Sequence, residues 1–273
     1  MDSMQGKRIL VTGAGTGIGQ GIALAFAQAG AAVAVHYSRS ASGADAVVAE
    51  IQAAGGKAAA FKADFREVAP LRAMARAAVD FLGGLDVLVN NAGITMNRPL
   101  GQTTVEQFDT LYAVNVRAPY FLCQALLPEL EQAAGVVVNI SSIHAYEGYT
   151  EHSVYAGTRG AIVAFTRQLS IELAPRGVRV AGIAPGGVRV ENQENLTAGK
   201  TDWAAAGRGI PAGFVALPRD IGAVAVFLAS PGGRYIVGQT LVVDGGTTSW
   251  MPFGEQFKQP MSVQFGQGYV PGL

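Results

Sequence analysis

Apolar residues along this chain gather into short runs bounded by glycine or polar residues, and most runs are followed by a stretch with helical spacing. Lys7 to Thr12 (KRILVT) is the first run and predicts a buried strand. GIALAFAQAG then carries apolar residues at helical intervals until Gly30 stops it. Further strands are predicted at Ala32–Tyr37, Lys57–Lys62, Leu85–Val89, Gly135–Ile140, Val178–Ile183 and Gln239–Val243. Helices are predicted at Ser42–Ala54, through Arg72 to Phe81, at Phe108–Leu130, from Ser153 to Ala174, and at Arg219–Ala229. Strand–helix alternation of this kind predicts an α/β fold: a doubly wound, seven-stranded parallel sheet flanked by helices, with right-handed crossovers.

Two segments break the alternation. From Gly187 to Leu217 the periodicity is poor, and this polar loop follows a strand end: either it sets specificity, with Arg189, Glu191, Asn192 and Trp203 as candidate contacts, or it is only a mobile lid. The C-terminal stretch carries Trp250, Phe253, Phe257, Phe265 and Tyr269, more aromatics than a disordered tail usually holds. The expected organisation is one domain over residues 1–246 and a tail over 247–273. The tail either packs over a pocket of its own or a neighbouring subunit, is a loosely held extension, or docks on another protein.

Composition narrows the function. Of the 273 residues 49% are hydrophobic, enough for a sizeable core, and the formal net charge is zero. No long run of Lys or Arg is present, which argues against nucleic acid or a polybasic membrane contact. Cys123 is the lone cysteine, and His36, His144 and His152 have no metal-ligand spacing, so neither an intramolecular disulfide nor a structural metal is expected. The N-terminus lacks the apolar core of a signal peptide and no run reaches membrane-spanning length, so a cytoplasmic location is expected.

The chemistry begins at the turn Gly13, Gly15, Thr16, Gly17, Ile18, Gly19, set between the first strand and the first helix. Unpaired N–H groups at a helix N-terminus suit a phosphate, and glycines let the backbone approach it. The arrangement predicts a Rossmann-type dinucleotide site. An acidic residue usually meets the NAD ribose after the second strand, but here that strand ends His36-Tyr37-Ser38-Arg39. Ser38 and Arg39 suit a 2′-phosphate, so NADP is favoured and NAD remains possible. Asp64, beside Phe65, either accepts from an adenine amino group or caps the next helix. Asn90-Asn91-Ala92-Gly93 supplies small residues at a strand end, where a flat ligand would lie. Asn115, among apolar neighbours, is expected to hold a water or a backbone group, or to brace a bend.

Ser142, Tyr155 and Arg159 complete the set. If Ser153 caps a helix, Tyr155 and Arg159 stand four residues apart on one face. A cation beside a phenol favours the phenolate, so the pair suits a proton carrier, with Ser142 holding a substrate oxygen; taken alone, the same spacing marks an ordinary amphipathic helix.

Over roughly its first 246 residues the chain resembles the classical short-chain dehydrogenases/reductases. The resemblance rests on Thr12-Gly13-x-x-x-Gly17-Ile18-Gly19, Asn90-Asn91-Ala92-Gly93, Asn115, Ser142, Tyr155, Pro185-Gly186 and Asp244-Gly245-Gly246. It implies that Tyr155 is the general acid/base, that Ser142 orients the carbonyl or alcohol, and that Asn115 supports a relay water. It also implies that Asn91, Ala92, Gly93 and Val188 line the cofactor through their backbone, and that the protein is a dimer or tetramer. Two positions depart from the family pattern. Arg159 stands where Lys is usual, keeping the charge but exchanging no proton readily. Val190 stands where Thr often contacts the nicotinamide carboxamide.

The expected activity is hydride transfer between NAD(P) and a secondary alcohol, hemiacetal or ketone. A sugar or polyol is favoured because the candidate pocket residues His144, Glu147, Tyr149, His152, Arg189 and Asn192 are polar. A 3-oxoacyl or other carbonyl reductase is the alternative, and a catalytically silent nucleotide-binding module is the rival from another class.

Overall fold

The computed structural model describes residues 4–190 and 201–250. Seven strands form one parallel sheet: β1 (Arg8–Val11), β2 (Ala32–Tyr37), β3 (Ala58–Lys62), β4 (Val87–Asn90), β5 (Val136–Ile140), β6 (Arg179–Pro185) and β7 (Thr240–Val243). Their order in space is β3-β2-β1-β4-β5-β6-β7. The chain therefore turns back beside β1, and a crevice opens at the carboxyl ends of β1 and β4.

The described α-helices are α1 (Gly17–Gln28), α2 (Ala41–Ala53), α3 (Val68–Leu82), α4 (Val105–Tyr112), α5 (Ala118–Gln132), α6 (Ser153–Leu173), α7 (Trp203–Arg208) and α8 (Pro218–Ala229). Burial on both faces explains why the central strands read as unbroken apolar runs. One core joins β1, β2, β4, β5 and β6 to α1, α2 and α8 through residues such as Ile22, Phe26, Ile51 and Ile221. The other lies across the sheet under α3, α5 and the end of α6, with Leu71, Leu122, Leu126 and Leu173. Helices α1 and α8 cross at glycines: a Cβ on Gly21 would lie 2.4 Å from the Pro218 backbone.

The sheet's buried asparagines tie it to the helix that carries Tyr155. Asn90 and Asn139 are register partners on β4 and β5, and Asn90 Nδ2 donates to Asn139 Oδ1 at 2.9 Å. Asn139 Nδ2 donates in turn to Thr166 Oγ1 of α6 at 2.9 Å. Both polar atoms of Asn139 and the Nδ2 of Asn90 are thereby paired where water is excluded, while Asn90 Oδ1 is buried without a protein partner.

Several element boundaries differ from those read in the sequence. The predicted helix Phe108–Leu130 is three pieces: α4, a π turn over Ala113–Arg117, and α5. Apolar periodicity does not register the widened turn, because its cause is a side chain bonded out of the helix. Ser153 is the first residue of α6 and His152 occupies the cap position, with no side-chain capping bond. The loop Gly187–Leu217 contains α7, whose N-terminus Asp202 caps by accepting from Ala205 N at 2.9 Å. Glu191, Asn192 and the tail beyond Trp250 lie outside the described residues.

Replacing Asn139 by Val strands a donor on Asn90 and removes the donor to Thr166 Oγ1, which keeps its own bond to Ile162 O. Unfolding in urea is expected to show a loss of about 2 kcal/mol, the scale of buried groups left unpaired.

Candidate active site

Gly13 has φ +62°, and a Cβ there would lie 2.8 Å from Ala92 Cα, so only glycine lets the two loops meet. Thr12 holds the second loop in place: its hydroxyl accepts from Asn91 N at 2.9 Å and Ala92 N at 3.0 Å, and donates to Val89 O. Asn91 Nδ2 answers by donating to the carbonyls of Thr12 and Gly13. The N-cap of α1 is Thr16, whose side chain makes no capping bond. The first N–H groups of α1 are thus left to an outside acceptor.

These loops border a cleft of about 640 Å³ along the carboxyl edge of the sheet. Gly13, Gly15, Thr16, Gly17, Ile18 and Gly19 line one end, with Ser38, Arg39, Asp64 and Phe65 beside them. Asn91, Ala92 and Gly93 line the middle, and Ser142, Tyr155, Arg159, Pro185 and Gly186 line the other end.

Tyr155 and Arg159 face each other: the guanidinium carbon lies 4.8 Å from the phenol ring centroid. Arg159 is buried, and its Nη1 donates to Ile140 O at the end of β5 at 3.1 Å. A Cβ on Gly93 would lie 2.3 Å from Nη2, so this glycine makes room for the wide, planar group. Arg159 Nε is buried with no protein partner. Ser141 fixes the helix from below, its hydroxyl donating to Arg159 O at 2.8 Å. Ser142 Oγ accepts from His144 N at 3.2 Å, so its own proton is free to donate.

Asn115 sits in the π turn, 1% exposed, and its amide is fully engaged. Oδ1 accepts from Ile94 N, while Nδ2 donates to Ile94 O at 2.9 Å and to Thr158 Oγ1 at 3.1 Å. It therefore holds a backbone segment and marks a bend at once. π turns of this kind recur at functional sites.

A family model described as enoyl-(acyl carrier protein) reductase matches residues 13–248. The chain is 34% identical to 3beta-hydroxysteroid dehydrogenase 1 of Eggerthella lenta, over 98% of this chain and 99% of that one. It belongs to the classical short-chain dehydrogenases/reductases. It is also 34% identical to tetrahydroxynaphthalene reductase of Pyricularia oryzae, over 89% of this chain and 90% of the relative. A short-chain dehydrogenase of Burkholderia cenocepacia, solved with NADP, superposes with a TM-score of 0.83 at 35% identity, covering 90% of this chain and 100% of that one. As a member of this family, the protein is an oxidoreductase of CH–OH and carbonyl groups that uses a nicotinamide cofactor.

Within this short-chain dehydrogenase/reductase, some sequence candidates lie away from the cleft wall. Val188 is buried, bridged to Ala216 and packed into the core, so its place follows from tertiary packing and not from the strand-end pattern. Arg189 is exposed and its guanidinium lies over Trp203 at 5.4 Å. His144 and His152 are not among the residues of the cleft wall but form an aromatic group next to Tyr155, with centroids 6.0 and 4.9 Å from its ring. Asp64 does not cap α3, whose N-cap is Glu67; it accepts from the Arg66 backbone and guanidinium. The Arg66 side-chain bond, then its backbone bond, bring the Asp64 carboxyl down to about 2. Burial pushes the Cys123 thiol up to about 12, which keeps it protonated and unreactive.

Sequence reading missed His36, Ser40, Arg66 and Thr110 on the cleft wall. Ser40 and Arg66 adjoin residues already singled out, and strand-end position alone could have found them; Thr110 comes from α4 and needs the fold. Among the described residues, no group of three His, Cys, Asp or Glu side chains could hold a metal. No described helix is long and apolar enough to cross a membrane.

Burial lowers His36 from 6.5 to about 4, against an opposing pull from the Ala63 carbonyl. The unfolded chain takes up this proton more readily, so the stabilisation is complete above pH 6.5 and lost as pH falls through about 4. Between pH 7 and 4 the loss is expected to be about 3 kcal/mol. Urea unfolding of wild type and His36→Asn at both pH values isolates it: the variant is less stable at both, and the difference in pH dependence between the two is this titration.

Proposed function

We propose that the protein transfers hydride between NADP and a ring-borne secondary alcohol or ketone, with Tyr155 as general acid/base. The observation that carries this reading is the meeting of Ser142, Tyr155 and Arg159 on one wall of a cleft whose far end is the glycine turn. The residues present fit a dinucleotide. The first N–H groups of α1 lack a side-chain cap, and the buried Arg159 Nε is without a protein partner. When bound, the nicotinamide supplies or accepts the hydride.

In the oxidative direction Tyr155 Oη takes the proton from the substrate hydroxyl. The guanidinium of Arg159 steadies the negative charge on that oxygen and holds the ring face. Ser142 Oγ, with its acceptor side occupied by His144 N, donates to the substrate oxygen as charge gathers there. Reduction reverses these transfers. Asn115 serves as a brace for the Ile94 backbone and α6, since its amide is already committed.

The preference for NADP is supported by Ser38, Arg39, Ser40 and Arg66 gathered at one end of the cleft. For the substrate, His144, Tyr149 and His152 form an aromatic flank beside Tyr155, with Tyr149 68% exposed. Such a flank suits a flat ring better than an open-chain polyol. Relatives named for hydroxysteroids and for tetrahydroxynaphthalene support the same reading. A cyclic sugar stays within the class. A single domain through about residue 246, a homo-oligomeric state and a tail serving the pocket or an interface belong to the same proposal. Exposed Tyr120 on α5 and Ile171 on α6 support the oligomer.

Turnover of NADPH and NADH should be measured against cyclic sugars, hydroxynaphthalenes and hydroxysteroids. Tyr155→Phe is expected to lower kcat by about 10²–10⁴ while NADPH still binds. Binding without any turnover in the wild type would instead mark a silent nucleotide-binding module. Arg39→Ala should weaken NADPH about tenfold and leave NADH unchanged, the scale of one lost charge-assisted hydrogen bond; equal weakening of both would refute the 2′-phosphate assignment.

A further inference from the structure

The turn after β1 must hold its N–H groups in place before a pyrophosphate arrives, yet loops of this kind open easily. Gly13 is held from both sides. Its carbonyl accepts from Asn91 Nδ2 at 3.1 Å, and its N–H donates to His36 Nδ1 at 3.0 Å. The next amide, Ala14 N, donates to the carbonyl of the same His36 at 2.8 Å. On the ring's far side Nε2 lies 3.2 Å from Ala63 O, and the imidazole stacks on Phe65 with centroids 4.0 Å apart and planes 5° from parallel.

This geometry admits one chemical form of the ring. Gly13 N–H is a donor, so Nδ1 must carry a lone pair; Ala63 O is an acceptor, so Nε2 must carry the hydrogen. Neutral His36 protonated on Nε2 satisfies both at once, and the side chain is 1% exposed. One imidazole thus joins the turn at the phosphate end of the cleft to the loop Ala63–Phe65 at its other flank.

We propose that His36 is a cofactor-positioning residue: bridging Gly13 and Ala63, it presets the spacing between the phosphate-binding turn and the loop bearing Asp64 and Phe65. The proposal rests on the dinucleotide reading above and adds to it a residue that acts through its neighbours. The cofactor then binds a turn that is already ordered and does not have to supply the ordering cost itself.

Two substitutions separate the two ends of the bridge. Asn places its side-chain oxygen near the position of Nδ1 and can still accept from Gly13, but it falls short of Ala63. Gln reaches Ala63 with its amide nitrogen and leaves Gly13 without an acceptor. A merely structural histidine makes these variants equivalent.

The test is NADPH titration of the full chain, followed by nucleotide fluorescence, for wild type, His36→Asn and His36→Gln, with Tm recorded for each. Similar falls in Tm are expected for both variants. Kd should stay within about threefold of wild type for Asn and rise about tenfold for Gln, the scale of one orphaned backbone donor. Wild-type affinity in the Gln variant, or equal losses in both, would overturn the proposal alone. Failure of the wild type to bind NADPH would overturn the dinucleotide reading as well. Should His36→Gln not fold, amide hydrogen exchange on the cofactor-free wild type decides. Gly13 N–H is expected to be protected like the strand amides of β1, and fast exchange there would sink the idea.

Discussion

The guanidinium of Arg159 joins the sheet to the Tyr155 ring. It reaches from α6 back to the carbonyl of Ile140, stands against the Tyr155 ring, and occupies space that Gly93 leaves open. Three separate segments therefore meet on one rigid cation. A charged group this buried survives only with partners around it, and its remaining unpartnered nitrogen lies in a group that lines the cleft. Arginine in place of lysine changes what the site can do. The charge is permanent and the group planar, so it packs against the Tyr155 ring and exchanges no proton readily.

Around that cation the structure relies on amides and small hydroxyls rather than on ion pairs. Thr12 gathers two N–H groups of the Asn90–Gly93 loop, Asn91 returns two bonds to the glycine turn, and Asn115 holds Ile94 by both of its backbone groups. Asn90, Asn139 and Thr166 connect β4 and β5 to α6 through the interior. Each of these side chains stands at or near the carboxyl edge of the sheet. The strands hold register through their backbone ladders, and the loops above them hold position through this second, side-chain set. That division keeps the cleft open for a ligand while its walls stay fixed.

The histidines show how the same residue type takes different roles. His36 is a buried connector whose protonation is suppressed by burial. His152 is also shifted down, first by burial and then by the nearby His144, so its ring resists taking a proton. Both of these rings have a buried Nδ1 without a protein partner, which distinguishes them from His36, whose two nitrogens are both engaged.

Much of the fold was legible in the chain itself. Parallel strands covered on both faces must be continuously apolar, and their spacing by helices of matching length leaves few other arrangements; the positions of β2, β5 and α6 follow within a residue or two. Glycine positions were also readable, because glycine takes a positive φ at little cost and only glycine permits the contact between Gly13 and Ala92. Tyr155 and Arg159 share a helical face by simple periodicity. Other features depended on contacts between segments far apart in sequence. Nothing local to Asn115 shows that it will bond Ile94 and open a π turn, and nothing near His36 announces that its ring will bridge Gly13 and Ala63. Val188 and Arg189 follow the same strand end that placed Pro185 and Gly186 on the cleft, yet packing turned one into the core and the other over Trp203. Periodicity records which way a side chain leaves its own element; which partner it then meets is set by the other strands and helices that arrive beside it.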